Sequence, residues 1–221
     1  MEYFMSQFFD LAIMAEVLPL LLKGLLTTLK ICIATIPLGI CLGLGLAVLS
    51  KSRYRPVRWA TVVYVDFFRA LPPLVLLIFT YSGLPFFGIK LTPFAAVCVA
   101  FVLSMTSYYC EVFRAGLESV GQGQREAAAS TGLGAGHTLI YIVIPQAVRN
   151  VLPDLISNTV EVVKLTSLAS VVAIPELLYN ADMARAATYN ATPMVVAALI
   201  YLAVLWPVVR LLSRLEHKGA T

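Results

Sequence analysis

Five stretches of this chain each hold about 20 or more mostly apolar residues in a row, the length an α-helix needs to cross ~30 Å of hydrocarbon. They are Leu25–Leu49, Val57–Tyr81, Thr92–Phe113, Leu152–Ile174 and Pro193–Leu212. In lipid every backbone N–H and C=O must be satisfied within the protein, which leaves only helices or closed barrels. The runs are continuous and lack the two-residue alternation of barrel strands. The expected fold is an all-α integral membrane bundle of five transmembrane helices, one domain over residues 1–221. Composition agrees: 60% of residues are hydrophobic and only 13% are charged. That balance argues against a soluble enzyme, a disordered chain or a nucleic-acid binder. Cys32, Cys41, Cys98 and Cys110 lie singly in apolar stretches and read as small core residues.

Basic residues set the expected orientation. Lys51, Arg53, Arg55, Arg58, Arg114, Arg125, Arg149, Arg210, Arg214 and Lys218 fall on one side of the predicted spans. Lys90 and Arg185 fall on the other. The N-terminus is therefore expected outside and the C-terminus in the cytosol. Glu2, Asp10 and Glu16, without a basic n-region, do not read as a cleavable signal peptide.

The longest connection, about residues 115–150, lies on the cytosolic side and is too long to be a plain turn. Its alanines predict a short helix over Arg125–Thr131, stopped by Gly132. A second amphipathic segment runs from His137 to Ile144. Helices this short are poorly stable alone, so the pair is expected to dock onto something. Glu126-Ala127-Ala128 is followed after three residues by Gly132, and after nine more by Ile142-Val143-Ile144-Pro145.

That spacing, EAA-xxx-G-x9-I-x-[LI]-P, resembles the signature of bacterial ABC importer permeases. Segments around it are similar to the polar amino acid subfamily: Thr27-Thr28-Leu29, Phe68-Arg69-Ala70-Leu71-Pro72, Ser107–Gly116 and Lys164-Leu165-Thr166-Ser167-Leu168. Leu165 stands where Asp or Asn is frequent. The resemblance implies that the loop is a coupling helix fitting a groove on a cytosolic ATPase. Arg125, Glu126, Ala127, Ala128, Gly132 and Pro145 are its candidate coupling residues. It also implies a second copy or a homologous permease, an extracytoplasmic substrate-binding protein, and residence in the bacterial inner membrane.

The sequence has no GxxxxGK[ST] run, and no Gly is followed directly by Lys. ATP and Mg are therefore expected on the partner ATPase, with no cofactor in this chain. Its histidines, His137 and His217, form no metal or triad pattern, so no catalytic or metal site is expected.

Charges at membrane depth are costly and face a cavity or a partner. Asp66 and Arg69, and again Glu161 and Lys164, are spaced i,i+3 and share a helix face. Two readings follow: ion pairs that lock helices together, or a polar site for an amino acid's carboxylate and ammonium groups. Arg69, Glu161, Lys164, Thr166, Ser167 and Leu168 are the candidate substrate residues. Pro72-Pro73 is expected to break the second span. The function expected is translocation of a polar amino acid, powered by ATP hydrolysis in a partner. The competing reading is a stand-alone secondary transporter or channel.

Overall fold

A computed structural model describes residues 6–219, with side chains to residue 211. The expectations placed on Glu2, Arg214, His217 and Lys218 lie outside these. The described residues form helices and no strand. In chain order the helices are α1 (Leu11–Leu49), α2 (Arg55–Ala70), α3 (Pro73–Ile78), α4 (Pro93–Ser119) and α5 (Gln122–Ser130). Then follow α6 (Ala135–His137), α7 (Ile144–Asn150), α8 (Leu152–Leu165), α9 (Leu177–Thr188) and α10 (Thr192–Gly219). Four helical segments are long and apolar enough to cross a membrane, and the broken pair Arg55–Ala70 and Pro73–Phe87 makes a fifth.

The spans differ from their sequence expectations in instructive ways. α1 begins at Leu11 rather than Leu25 and has 39 residues. At 1.5 Å per residue that is about 58 Å, well beyond one hydrocarbon thickness. The side chain of Asp10 caps its start by accepting from the amides of Ala12 and Ile13, at 2.9 and 3.1 Å. The second apolar run is broken, as Pro72-Pro73 predicts. Leu71 is extended (φ −83°, ψ 127°) because a residue before proline is pushed out of the helical region. The fourth run is α-helical only to Leu165, then tightens into a 3-10 segment, Thr166–Val172. Pro153 falls in the first turn of α8, where a missing N–H leaves no helical bond unmade, whereas Pro145 follows directly on a π turn. Pro37 and Pro207 lie inside continuous helices.

The chain divides into two compact units. The first comprises the described residues up to Thr35, Leu74–Ala100, and those from Val160 onward. Its core joins α1, α9 and α10 through Val17, Leu21, Leu177, Ala181, Ala184, Val196 and Ala197. Glu176, with no exposed surface, is the N-cap of α9. Its carboxylate accepts from the amides of Leu178 (2.9 Å) and Tyr179 (2.6 Å) and from the Tyr201 hydroxyl (3.4 Å). Burial pushes this carboxyl above the usual range, and those three hydrogen bonds oppose the rise. Leu177 donates its amide to the Thr28 hydroxyl, and Asn180 donates its side-chain amide to the Leu20 carbonyl. α1 can come this close to α9 because residue 24 is glycine. A Cβ there would lie 2.8 Å from the Glu176 carbonyl oxygen and 2.9 Å from Leu177 Cα.

The second unit comprises Ile36–Pro73 and Phe101–Thr159. Small residues again set the helix spacing, as is usual where two helices gain nothing from hydrophobic exclusion of water. A Cβ on Gly43 would lie 2.6 Å from Tyr109 Cβ, and one on Gly116 would lie 2.8 Å from the Ala147 carbonyl oxygen. Tyr109 is fully buried, and its hydroxyl shares a 2.9 Å hydrogen bond with that of Thr159.

Two outcomes test this packing. Gly24→Ala is expected to destabilise the protein by about 1–3 kcal/mol through overpacking against rigid backbone. Gly45→Ala, whose Cβ would meet nothing within 4 Å, is expected to change little. Thermal unfolding in detergent reads both, and equal midpoints would refute the close approach. For Glu176, the folded state favours the neutral carboxyl. Its burden is therefore absent at acid pH and grows as pH rises above the ordinary carboxylate range. The midpoint of Glu176→Gln relative to wild type is expected to improve over that rise, and a pH-independent difference would contradict it.

Candidate functional site

The long connection between α4 and α8 is the most exposed structure on the second unit. Residues 121–127 and 129–137 are all exposed, with only Ala128 buried between them. α5 starts at Gln122, earlier than the alanine pattern predicts, and ends at Ser130. It closes with two characteristic bonds: the Leu133 amide donates to the Ala128 carbonyl (3.1 Å) and the Gly132 amide to the Ala129 carbonyl (3.0 Å). This 6→1 and 5→2 pairing requires a left-handed residue, and Gly132 supplies it at φ +82°. Gly132 thus has the helix-stopping role its position implies.

Beyond the turn the backbone is helical from Ala135 to Asn150, with a π turn over Thr138–Val143. Pro145 has no N–H to offer Tyr141, and the widened turn lies just ahead of it. Leu133, Ile140 and Tyr141 are exposed apolar side chains on this hairpin, and Tyr141 stacks on His137 at 5.9 Å. The candidate coupling residues divide. Glu126 is exposed and accepts from the Gln122 side chain at 2.8 Å. Arg125 instead reaches back, donating to the Leu117 carbonyl at 3.0 Å, so it braces the hairpin against α4. Ala127 is exposed and Ala128 buried. A cleft of about 630 Å3 beside α5 is bounded by Lys51, Glu118, Gln122, Arg125 and Glu126.

The candidate substrate residues fall in both units. Glu161 and Lys164 form an ion pair, with both side chains at least half exposed. Thr166 is buried, and its hydroxyl donates to the Val163 carbonyl at 2.7 Å. The Ser167 hydroxyl donates to the Lys164 carbonyl at 2.8 Å, and Leu168 is half-buried. These five sit where α8 gives way to the 3-10 segment. Arg69, in the second unit, pairs with Glu111 (3.6 Å) rather than with Asp66, and its guanidinium lies over the Tyr108 ring.

Glu111 is a residue the sequence reading missed. It also binds Arg114, at 2.5 Å. Arg114 reaches on to Glu118 (3.5 Å), and Glu118 pairs with Lys51. A continuous ladder of ions thus ties α2, α4 and the residues after α1. The i,i+3 and i,i+4 spacings of Glu111, Arg114 and Glu118 were visible in the sequence. The links to Arg69 and Lys51 were not. Glu176 was missed as well. Its only sequence signal is an acidic residue immediately before an apolar helix, the N-cap position.

Comparison with known proteins identifies what carries such a hairpin. Residues 39–218 match the family model described as "Binding-protein-dependent transport system inner membrane component". The arginine transport system permease protein ArtQ of Bacillus subtilis (strain 168) is 33% identical over 83% of this chain and 85% of its own length. The probable glutamine ABC transporter permease protein GlnP of the same organism is 36% identical over 91% and 94%. A crystal structure of an amino acid ABC transporter with histidines superposes with a TM-score of 0.85 at 32% identity, covering 95% of this chain and 98% of that one.

The cap of α5 can be tested directly. Gly132→Val puts a branched side chain at a left-handed position, with a penalty of at least about 1–2 kcal/mol. Amide exchange at Gly132 and Leu133 is expected to quicken roughly tenfold, while Gly132→Asn, which tolerates that conformation, should change it less. Equal exchange in all three proteins would refute the cap.

Proposed function

Because the chain belongs to the family of binding-protein-dependent transport system inner membrane components, we infer that it is the membrane-spanning permease subunit of an ABC importer for amino acids. It works in the inner membrane as a multi-pass protein. The observation that carries this reading is the exposed, glycine-capped α5 hairpin on a bundle with the helices to span a membrane. A stand-alone secondary transporter or channel has no use for such a hairpin and does not account for the family match.

The finer mechanism is our proposal. The N-terminus faces outward and the hairpin faces the cytosol, as the distribution of Lys and Arg favours. A partner ATPase, which binds ATP and Mg, takes α5 into a groove. Glu126, Ala127 and Gly132 meet it, and Arg125 and Pro145 hold the hairpin's shape from behind. Closure of two ATPases draws two hairpins together, so the assembly contains a second permease, either a copy of this chain or a homologue. An extracytoplasmic binding protein delivers the amino acid. The force reaches the bundle through rigid contacts: Arg125 on Leu117 and Asn150 on Ser119, both tying the hairpin to α4.

The substrate is a polar amino acid. Support for placing it near Lys164 comes from the local backbone. The switch from α-helix to 3-10 at Leu165 changes which carbonyls are bonded, as in other interrupted membrane helices at transport sites. Lys164 offers a cation and Glu161 an anion, both reachable because both side chains are at least half exposed. Thr166, Ser167 and Leu168 shape the wall, whereas Arg69 lies in the second unit, held by Glu111.

Reconstitution with the ATPase in liposomes tests the reading. Lys164→Ala is expected to lower amino acid uptake at limiting substrate by tenfold or more, the loss of roughly one charge-assisted hydrogen bond, about 1.5–3 kcal/mol. ATPase activity without substrate should persist. Unchanged uptake would leave the Glu161–Lys164 pair with a structural role only.

A further inference from the structure

A cleft of about 520 Å3 in the second unit is lined by Lys51, Arg58, Asp66, Arg69, Glu111 and Arg114, together with neighbouring small and apolar residues. Four cations face two carboxylates, a surplus of two positive charges. The ion ladder occupies most of these groups. Glu111 is held by Arg114 and Arg69, and Lys51 is held by Glu118. Arg58 is the exception. It sits on the first turn of α2, is exposed, and has no ion-pair partner among the described residues. An arginine with its donors uncommitted, beside a cleft of net positive charge, suits an anion with several acceptor oxygens.

Position narrows the kind of anion. The apolar run of α1 ends at Leu49 with Lys51 just beyond, and α2 opens at Arg55. A bilayer's hydrocarbon gives way to headgroups at such a point. The face of α2 next to the cleft is apolar and uncovered: Trp59 is 66% exposed, Val63 59% and Phe67 56%. Val62 belongs to both surfaces, lining the cleft while 43% exposed. A ligand seated here meets cations at one end and an apolar helix face along its side. A free inorganic anion would leave that face unused. Basic pockets between membrane helices suit anionic lipid headgroups for this reason.

We propose that this cleft binds the phosphodiester headgroup of one anionic phospholipid, held by Arg58 with Lys51 and Arg69 alongside, its acyl chains lying on the Trp59, Val63 and Phe67 face. Asp66 lines the same cleft without an ion-pair partner among the described residues and opposes the headgroup. The ion ladder keeps Arg69 and Arg114 oriented toward the cleft, and Arg58 supplies the uncommitted charge. The site is independent of the transport reading, because binding a lipid needs neither ATP nor substrate.

Native mass spectrometry of the full chain, purified with its subunits in mild detergent and stripped of lipid, tests the proposal. The probes are phosphatidylglycerol and phosphatidylcholine, with inorganic phosphate as competitor. Phosphatidylglycerol is expected to bind more tightly than phosphatidylcholine. Arg58→Gln should weaken phosphatidylglycerol roughly fivefold and leave phosphatidylcholine unchanged, the effect of one interfacial cation. Arg58→Lys should retain most of the affinity. Asp66→Asn should strengthen phosphatidylglycerol by a similar factor, a change of sign that unfolding could not produce. Equal binding of the two lipids, or no effect of Arg58→Gln, overturns the proposal. So does complete displacement of phosphatidylglycerol by millimolar inorganic phosphate, which would assign the cleft to a free anion. None of these results depends on uptake, so the lipid site and the transport function fail separately.

Discussion

A bilayer leaves no backbone polar group the option of water, and this constraint bears on the irregularities within the apolar runs. The protein has apolar runs that do not stay α-helical, and each departure is matched by a local side-chain partner. At the 3-10 segment the hydroxyls of Thr166, Ser167 and Ser170 donate to the carbonyls of Val163, Lys164 and Ser167. After the break at Leu71 the Thr80 hydroxyl donates to the Leu76 carbonyl beside a π turn. At the start of α9, just past the fourth apolar run, the carboxylate of Glu176 accepts from two half-buried amides. The hydroxyl-rich run Thr166–Ser170 is therefore a structural requirement of the interrupted helix. A buried helix interruption without such residues would strand carbonyls in hydrocarbon.

Close approach of helices follows from the same condition. Between helices in lipid, packing and hydrogen bonds replace the hydrophobic effect, so contacts must be intimate to be worth much. Gly24 admits α9 to within contact of α1, and that approach lets Thr28 and the Leu20 carbonyl accept from Leu177 and Asn180. Gly43 does the same for Tyr109 in the second unit. Removing either hydrogen would push apart groups whose bonds have no substitute.

The two units carry their charges differently. In the first, Glu176 is sealed with only hydrogen-bond partners, while Glu161 and Lys164 stand exposed as a pair. In the second, charges run in a ladder from Lys51 through Glu118, Arg114 and Glu111 to Arg69. Partly exposed ion pairs contribute little stability one by one. Linked in series across three chain segments, they fix the directions of long side chains around α2 and α4.

The sequence by itself determined the class and the family. Twenty-residue apolar runs dictate helices because lipid permits nothing else without closing a barrel, and the EAA–Gly–Pro spacing in the loop is set by local rules of helix formation and capping. Gly132 could be read as a helix stop because a left-handed turn depends on one residue's own sterics. The break at Pro72 was legible for the same local reason. Other features needed the tertiary structure. That Arg69 pairs with Glu111 rather than Asp66, and that Arg125 turns back to Leu117, depends on which helices become neighbours. The extension of α1 back to Leu11 goes with the packing of Val17 and Leu21 against α9 and α10, far along the chain. Glu176 shows the difference most plainly. Its spacing marked only a helix start, and burial turned it into the hub of α1, α9 and α10, because exposure is a property of the folded packing and not of the residue.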